Sequence, residues 1–512
     1  MAGKATTPSC CLTLPLRLEK WQSDRLEKRF EIARQIYNTL LRYELKKLKG
    51  LEESESYSSI KSRIAACYDQ DEKNEKDLKK LYKQLNDQRK AANFTEYGFK
   101  SDVKAFYKHF NQNIGSHVAV HGIASQVWQA FERYFYGNGK QIHFKRRGEI
   151  YSLRGYSESM KSGGTEIMFR GDHIEWKGLL LPVKLDPKNR YETEMLQKRI
   201  KYCRIIKKAR RHDNAWYVQL ILEGKPAVKF MPDGITERHP VGNGCVGIDI
   251  GPQTIAYVSE TEVGLKELAD RVQNIENKKR IIQRKLDRSR RASNPENYNP
   301  DGTIKRGIKL TKKKSKRYSL LQKELSYLQH QQAEIRKQQH NELANHLLSL
   351  GCRFYIENME WPTLTRRAKK TEISEKTGKY KRKKRFGKSI GNKAPATLVN
   401  LLHQKLKSRD YEGVIKVDPR KLRASQYNHL TETYQKKELS QRWNLMSDGN
   451  RVQRDLYSAF LLQHTNDQQN GFVQSSLQKD YPAFLVKHDC VIEQLRNAPK
   501  TIRSMGIVRT GS

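Results

Sequence analysis

The chain is short of apolar residues and short of acids. Only 36% of its 512 residues are hydrophobic and its mean hydropathy is −0.86. No apolar run reaches the ~18 residues a membrane-spanning helix needs. Met1-Ala-Gly-Lys4 leads into a mixed segment, so no secretory leader is expected. Cysteine occurs seven times, at 10, 11, 67, 203, 245, 352 and 490, with no C-x-x-C pair. Adjacent Cys10 and Cys11 are poorly placed to clamp one metal. A disulfide framework and a cysteine-built zinc site are therefore not expected, and a reducing cytosol is.

What is abundant is positive charge. Lys and Arg number 99 against 56 Asp and Glu, a net charge of +43. Such an excess opposes compaction unless a polyanion neutralises it, which points to nucleic acid. A solvated basic surface or a ribosomal-type RNA binder has the same composition. A membrane-surface role fits less well.

The length suggests roughly three domains. Residues 10–20 read as a strand. Residues 21–50 read as a basic helix with Phe30, Ile32, Ile36, Leu40 and Leu41 on one side. Residues 55–112 are charged and helical. Over 116–136, Ile123, Val127, Phe131 and Phe135 step by fours along one helical face. Between 141 and 225 the pattern turns to β-like runs, among them IHFKRR, EIMFRG, HIEWKG and AWYVQLILEG. Prolines 226, 232 and 240 with Gly234 mark 226–243 as a linker. Two strands follow at 245–260, then a basic helical region at about 265–350. Its second arm places Leu321, Leu325, Leu328 and Ile335 at near-heptad spacing, with Gln332 and Gln339 interrupting the seam. A helical hairpin packed on a domain is expected. A strand at 352–357, a helix at 395–408, a strand at 413–417 and a helix at 451–464 complete the pattern.

Within CVGIDIGPQ (245–253), Asp249 sits in the middle of an apolar strand. A buried carboxylate without a partner costs on the order of 3–5 kcal/mol. Glu357 ends the strand after the helical region, and Asp455 opens the last helix. A long helical connection brings its flanking strands side by side in parallel, and ligands gather at the carboxyl ends of such strands. Asp249 and Glu357 are therefore expected as neighbours, with Asp455 facing the same edge. Each acid alone is ordinarily a solvated, turn or capping residue. Together they call for hard divalent cations, Mg²⁺ or Mn²⁺. Two such ions ~3.5–4 Å apart stabilise the attacking and leaving oxygens of a phosphodiester.

GIDIG (247–251), YIENMEW (355–361) and NRVQRDLYSAFL (450–461) resemble the three split motifs of a RuvC-type nuclease domain, an RNase H-like fold. Together with 123–147, KKARRHDNAWYVQLILEG and DPRKLRASQ, they make the chain, over about 10–465, similar to the TnpB family of RNA-guided nucleases and its compact type V CRISPR effector relatives. The resemblance implies an α+β multidomain protein of the prokaryotic cytoplasm. Its parts would be a β-rich, OB-like wedge domain (1–20 and 136–240), a helical recognition lobe (21–135), and a RuvC-like α/β nuclease domain (241–420 and 452–465) carrying the hairpin 265–350. An insertion at 421–451 would bind the target nucleic acid. Residues 466–512 form a tail with no assigned role. Asp249, Glu357 and Asp455 would be the metal-binding catalytic acids, and Arg454 also matches a family position. The implied activity is RNA-guided DNA endonuclease, using Mg²⁺ or Mn²⁺, with a guide RNA, target DNA (single- or double-stranded) and a short flanking DNA motif as partners.

The chain departs from the family pattern twice. Where relatives carry two C-x-x-C pairs, it has Asn428, Thr431, Leu445 and Asp448, so zinc is not expected and Trp443 is the expected packing anchor. Tyr457 replaces an Asn common two residues after the last acid. Candidate nucleic-acid contacts are Lys145, Arg146, Arg147, Arg210, Arg211, Arg366, Arg367 and Arg454, with further basic runs at 207–208, 278–280, 312–314 and 381–385. Each run alone is ordinarily a solvated face; together they predict steep salt dependence. The 25 tyrosines and 6 tryptophans are enough to stack on unpaired bases as well as fill a core. The loop 366–387 follows Glu357 and would gate substrate access. Two other readings remain: a cleavage-poor RNA-guided DNA-binding repressor, and a guide-free RuvC-like resolvase or transposase.

Overall fold

The computed structural model describes residues 7–69, 75–107, 114–137, 139, 141–156, 167–209, 214–367, 372–375, 378, 386–438, 441–500 and 502–508. The chain is a mixed α/β, multidomain protein that divides into two compact units, 1–227 and 228–512. No helix among the described residues is long and apolar enough to cross a membrane.

The first unit opens with β1 (Ser9–Pro15) and helices α1 (Lys20–Glu53), α2 (Glu55–Asp69), α3 (Glu75–Ala91) and α4 (Glu96–Tyr107). A π-helical turn (Val118–Ile123) runs into α5 (Ala124–Phe135). Then come β2 (Ser152–Tyr156), β3 (Ile167–Phe169), β4 (His173–Trp176), β5 (Leu179–Pro182), α6 (Arg190–Leu196), β6 (Ile200–Ala209) and β7 (Asn214–Glu223). The strands form an antiparallel sheet ordered β1-β7-β6-β2 and a small sheet β3-β4-β5. One apolar cluster joins α1 (Leu26, Phe30, Ile36, Leu40), α5 (Val127, Phe131) and the sheet (Leu153, Ile205, Val218, Leu220). In α1, Arg29 is buried with its guanidinium 4.7 Å from the Trp176 ring centroid, and it donates to the Trp176 and Lys177 carbonyls.

Two local expectations are corrected in this unit. IHFKRR does not form a strand, because the Asn38 side chain occupies the Lys145 backbone: Nδ2 donates to its carbonyl (2.8 Å) and Oδ1 accepts its N–H (2.8 Å). The 116–136 helix is not α-helical throughout. Its first part widens to a π-turn where Gly122 abuts the Arg154 carbonyl and Arg154 Nη2 donates to the His121 carbonyl (2.6 Å).

The second unit carries β8 (Cys245–Ile250), β9 (Thr254–Val258), β10 (Val263–Glu267), α7 (Gln273–Ser293), α8 (Lys316–Leu350), β11 (Arg353–Glu357), α9 (Trp361–Thr365), α10 (Gly387–Lys393), α11 (Pro395–Lys407), β12 (Val414–Val417) and α12 (Pro419–Leu422). Two short hairpins follow, β13 (Tyr427–Asn428) with β14 (Thr433–Tyr434), and β15 (Trp443–Leu445) with β16 (Arg451–Gln453). The helices α13 (Arg454–Gln463) and α14 (Gln474–Asn497) come last. The main sheet is ordered β10-β9-β8-β11-β12; β9 runs antiparallel to its neighbours β10 and β8, and β8, β11 and β12 are parallel. The hairpin α7–α8 is zipped by Ile275, Ile282, Leu328 and Leu325. Gln332 interrupts that seam but is satisfied there by Lys279 Nζ (2.7 Å).

Two further corrections fall in this unit. The region after residue 265 begins as an edge strand, β10, passes through a 3₁₀ turn (Asp270–Val272) and becomes α-helical only at Gln273. Residues 474–507 are not a loose tail: Leu477, Tyr481, Phe484, Ile492, Met505 and Ile507 belong to the unit's core.

Strand alternation separates the sheet's two faces. Val246, Ile248, Ile250, Phe354 and Ile356 face α8 and α11. Ala256, Val258, Tyr355, Ile415 and Val417 face α13 and α14. On that second face β8 offers Gly247, and α13 crosses directly over it. A Cβ there would lie 2.0 Å from the Ala459 carbonyl oxygen and 2.3 Å from the Gln463 nitrogen. Both are backbone atoms, so only glycine permits the crossing. Gly247→Ala is expected to lower stability by about 1–3 kcal/mol. Gly391→Ala, in a helix with open space around its Cα, should cost nothing; thermal denaturation of the two variants checks the contrast.

Candidate carboxylate site

The β8–β11 register ends with Ile248 opposite Ile356. Asp249 and Glu357 are each the next residue, so both acids leave the same edge of two adjacent parallel strands. By alternation Asp249 shares its face with Gly247 and Glu357 with Tyr355, the face covered by α13. Ala459, in contact with Gly247, lies one helical turn beyond Asp455. The crossing therefore carries Asp455 toward the edge where Asp249 and Glu357 emerge.

The electrostatics register this convergence. Asp249 keeps some contact with solvent but is enclosed by protein. Burial pushes its carboxyl well above the usual range; Asp455 and then Glu357 push it further, while Arg454 and Arg442 oppose the rise. Burial raises Glu357 to about 7. Asp455 is itself buried, with Oδ1 3.4 Å from Arg454 Nη2 and 3.9 Å from Arg442 Nη1. The acids do not make a closed ligand set: among the described residues no group of three His, Cys, Asp or Glu side chains is arranged to hold a metal ion. Asp455 is engaged by the two arginines. The donor chemistry nonetheless suits a hard divalent cation. All the donors are carboxylate oxygens, and a positive ion among them is what would let Asp249 ionise.

The hairpins before α13 stand where the sequence expects the target-binding insertion. Asn428 Oδ1 accepts the Leu430 N–H (3.0 Å), Thr431 Oγ1 pairs with Thr433 Oγ1 (2.7 Å), and Asp448 Oδ1 accepts the Asn450 N–H (3.0 Å). These side chains tie their own turns. Leu445 is exposed. Trp443 anchors the second hairpin, its Nε1 donating to the Gly506 carbonyl (2.8 Å). Tyr457 is buried away from the acids; its hydroxyl accepts the His429 N–H (3.0 Å) and shares a hydrogen bond with that ring's Nδ1 (2.7 Å).

The basic candidates divide. Arg146, Arg147, Arg366 and Arg367 are exposed, and Lys145 is half-buried over the Tyr37 ring. Arg454 belongs to the acid site rather than to a surface. Lys207, in a run read as nucleic-acid-binding, is buried and paired with Glu27 at 3.1 Å. Arg210, Arg211 and 381–385 lie outside the described residues, as does most of the loop 366–387. Sequence reading missed Arg442. Its position beside Trp443 was visible, but nothing in its neighbours announces that it reaches Asp455.

Glu357 makes a pH prediction with a definite sign. Its folded-state value of about 7 lies above its ordinary 4.5. Between those pH values the folded chain holds a proton that the unfolded chain has released, so stability falls as pH rises through the window. Glu357→Gln should therefore stabilise the chain in EDTA at pH 8 by on the order of 2–3 kcal/mol and leave it unchanged near pH 4. Melting temperatures of parent and variant at the two pH values test this; equal differences at both would refute it.

No protein-family model and no curated protein matches the chain. Among solved structures it is similar to a chain of a Cas12f1–sgRNA–target DNA complex, over 90% of this chain and 99% of that one, at 12% identity and a TM-score of 0.44. It is also similar to a chain of a CRISPR–Cas12f ternary complex, over 88% of this chain and 82% of that one, at 12% identity and a TM-score of 0.25.

Proposed function

We propose that the chain is an RNA-guided DNA endonuclease that hydrolyses phosphodiesters at Asp249, Glu357 and Asp455 of an RNase H-like (RuvC) domain. The observation that carries this reading is the emergence of Asp249 and Glu357 from one edge of adjacent parallel strands, with Asp455 brought toward them by the crossing of α13 over Gly247. The mixed sheet, three antiparallel strands continued by two parallel ones, supports the fold assignment, as do the three motif stretches. The net charge of +43 supports nucleic acid as substrate and partner. A guide RNA and target DNA are the partners, and base pairing to the guide supplies sequence specificity.

Asp249, Glu357 and Asp455 would hold Mg²⁺ or Mn²⁺, which when bound stabilises negative charge on the attacking and leaving oxygens of the phosphodiester. The strand register fixes where the Asp249 and Glu357 carboxylates emerge. Arg454 and Arg442 lie beside the Asp455 carboxylate and offset part of the repulsion among the acids. Without an ion, burial raises Glu357 to about 7, so binding of an ion there at neutral pH would displace a proton. Exposed Arg146 and Arg147 suit backbone phosphates, and Arg366 and Arg367 lie a short way along the chain from Glu357.

Asp249→Asn is the direct test. The chain purified with its RNA, given Mg²⁺ and matching DNA, should lose cleavage by a factor on the order of 10²–10³ or more while DNA binding persists. Cutting at the parental rate would sink the assignment.

A further inference from the structure

The segment after α13 does more than fill the core; it grips the acid site's supports at three points. Gln453 is fully buried and caps α13, its Oε1 accepting the Leu456 N–H (2.8 Å). Its backbone N–H donates to His488 Nε2 on α14 (2.9 Å), and its Nε2 donates to the Met505 carbonyl (3.2 Å). The His488 Nδ1 faces Asp489 Oδ1 at 2.8 Å, which leaves Nε2 as the acceptor Gln453 requires. The third grip is on Arg442. Gly506 takes a positive φ of 69° and packs so closely that a Cβ there would lie 2.3 Å from Arg442 Cβ. The same glycine's carbonyl holds Trp443, the next residue. Strand pairing closes the frame, with Trp443 opposite Gln453 and the Arg454 N–H donating to the Arg442 carbonyl (2.9 Å).

We propose that 474–507 is a positioning brace for the acid site. His488, through Gln453, sets the start of the helix that presents Asp455, and Gly506 sets the Arg442 guanidinium that faces Asp455. In this role they act through Gln453 and Arg442. Two strands of three residues each cannot hold such a frame unaided. This rests on the reading of Asp249, Glu357 and Asp455 as ion-binding acids.

The experiment measures Mn²⁺ binding to the full chain by the EPR signal of free Mn²⁺, alongside Mn²⁺-supported cleavage and RNA binding. His488→Leu removes the acceptor and should weaken Mn²⁺ binding ~10-fold, the usual scale for a residue that orients a ligand. Cleavage should then need correspondingly more Mn²⁺, with RNA binding unchanged. His488→Gln keeps an acceptor oxygen at the same reach and should restore the parental values. Trp443→Phe deletes the bond to the Gly506 carbonyl and trims the ring that meets His488 and Arg451; it should shift Mn²⁺ binding in the same direction, and it decides the question if His488→Leu does not fold. Parental Mn²⁺ binding in His488→Leu and Trp443→Phe, with Asp249→Asn weakened, overturns the brace and leaves the acid site standing. Unchanged binding in Asp249→Asn overturns the reading of the acids, and the brace with it.

Discussion

The contact between Gly247 and α13 is the constraint on which the rest of the second unit turns. A helix rarely lies with its backbone against a strand's backbone, because Cβ atoms hold the two apart. Here a missing Cβ lets the Ala459 carbonyl and the Gln463 nitrogen come down onto β8. Asp249 is two residues along the strand from that point, and Asp455 is one turn back along the helix. The distance between two acids from remote parts of the chain is thus set by packing of neutral backbone. Attraction between the acids contributes nothing to it.

That matters because the acids resist the arrangement. Burial and its neighbours push a proton onto Asp249, and burial alone brings Glu357 into the neutral range. Bringing such groups together costs several kcal/mol, which apolar packing must offset. The face beneath them does so with Val258, Tyr355, Val417, Leu456 and Phe460, all buried. Two guanidiniums answer part of the repulsion, and both reach the site through Asp455. The surplus of positive charge elsewhere in the chain draws a polyanion in, yet the acid edge itself would repel a phosphate. On the proposed reading, an anionic backbone would meet these carboxylates only with a cation between them.

Much of this was legible in the sequence, for identifiable reasons. Short apolar runs marked β8 and β11, and an acid breaking the first of them marked Asp249. A long helical excursion between two strands implied their parallel pairing. What escaped had weak or local signals. The short edge strand β10 ends in Lys266 and Glu267, which read like the start of a charged helix. The α14 stripe of Leu477, Tyr481, Phe484, His488 and Ile492 has helical spacing, but Pro482 and many polar neighbours disguise it. Charge runs report composition and say nothing of burial, so Lys207 looked like a phosphate contact when it is a buried partner of Glu27. Gly247 was quoted inside a motif, but its meaning lies in what packs on it, which no single segment contains.

The hairpins before α13 carry the last step. Turns tied by Asn428, Thr431 and Asp448 fix local shape but bury little apolar surface. Strands of two or three residues are not stable alone, so their position must be imposed from outside. The core under α14 supplies this: Trp443 meets His488 edge-on at 6.2 Å and bonds to Gly506, and His429 meets Tyr481 edge-on at 4.5 Å. A metal cluster would fix such a finger from within, indifferent to the rest of the domain. Fixing it through α14 links the finger, the cap of α13 and the Asp455–Arg442 pair into one packed body. Loosening these supports is then felt at the acids, because Gln453, gripped by His488 and Met505, caps the helix that presents Asp455.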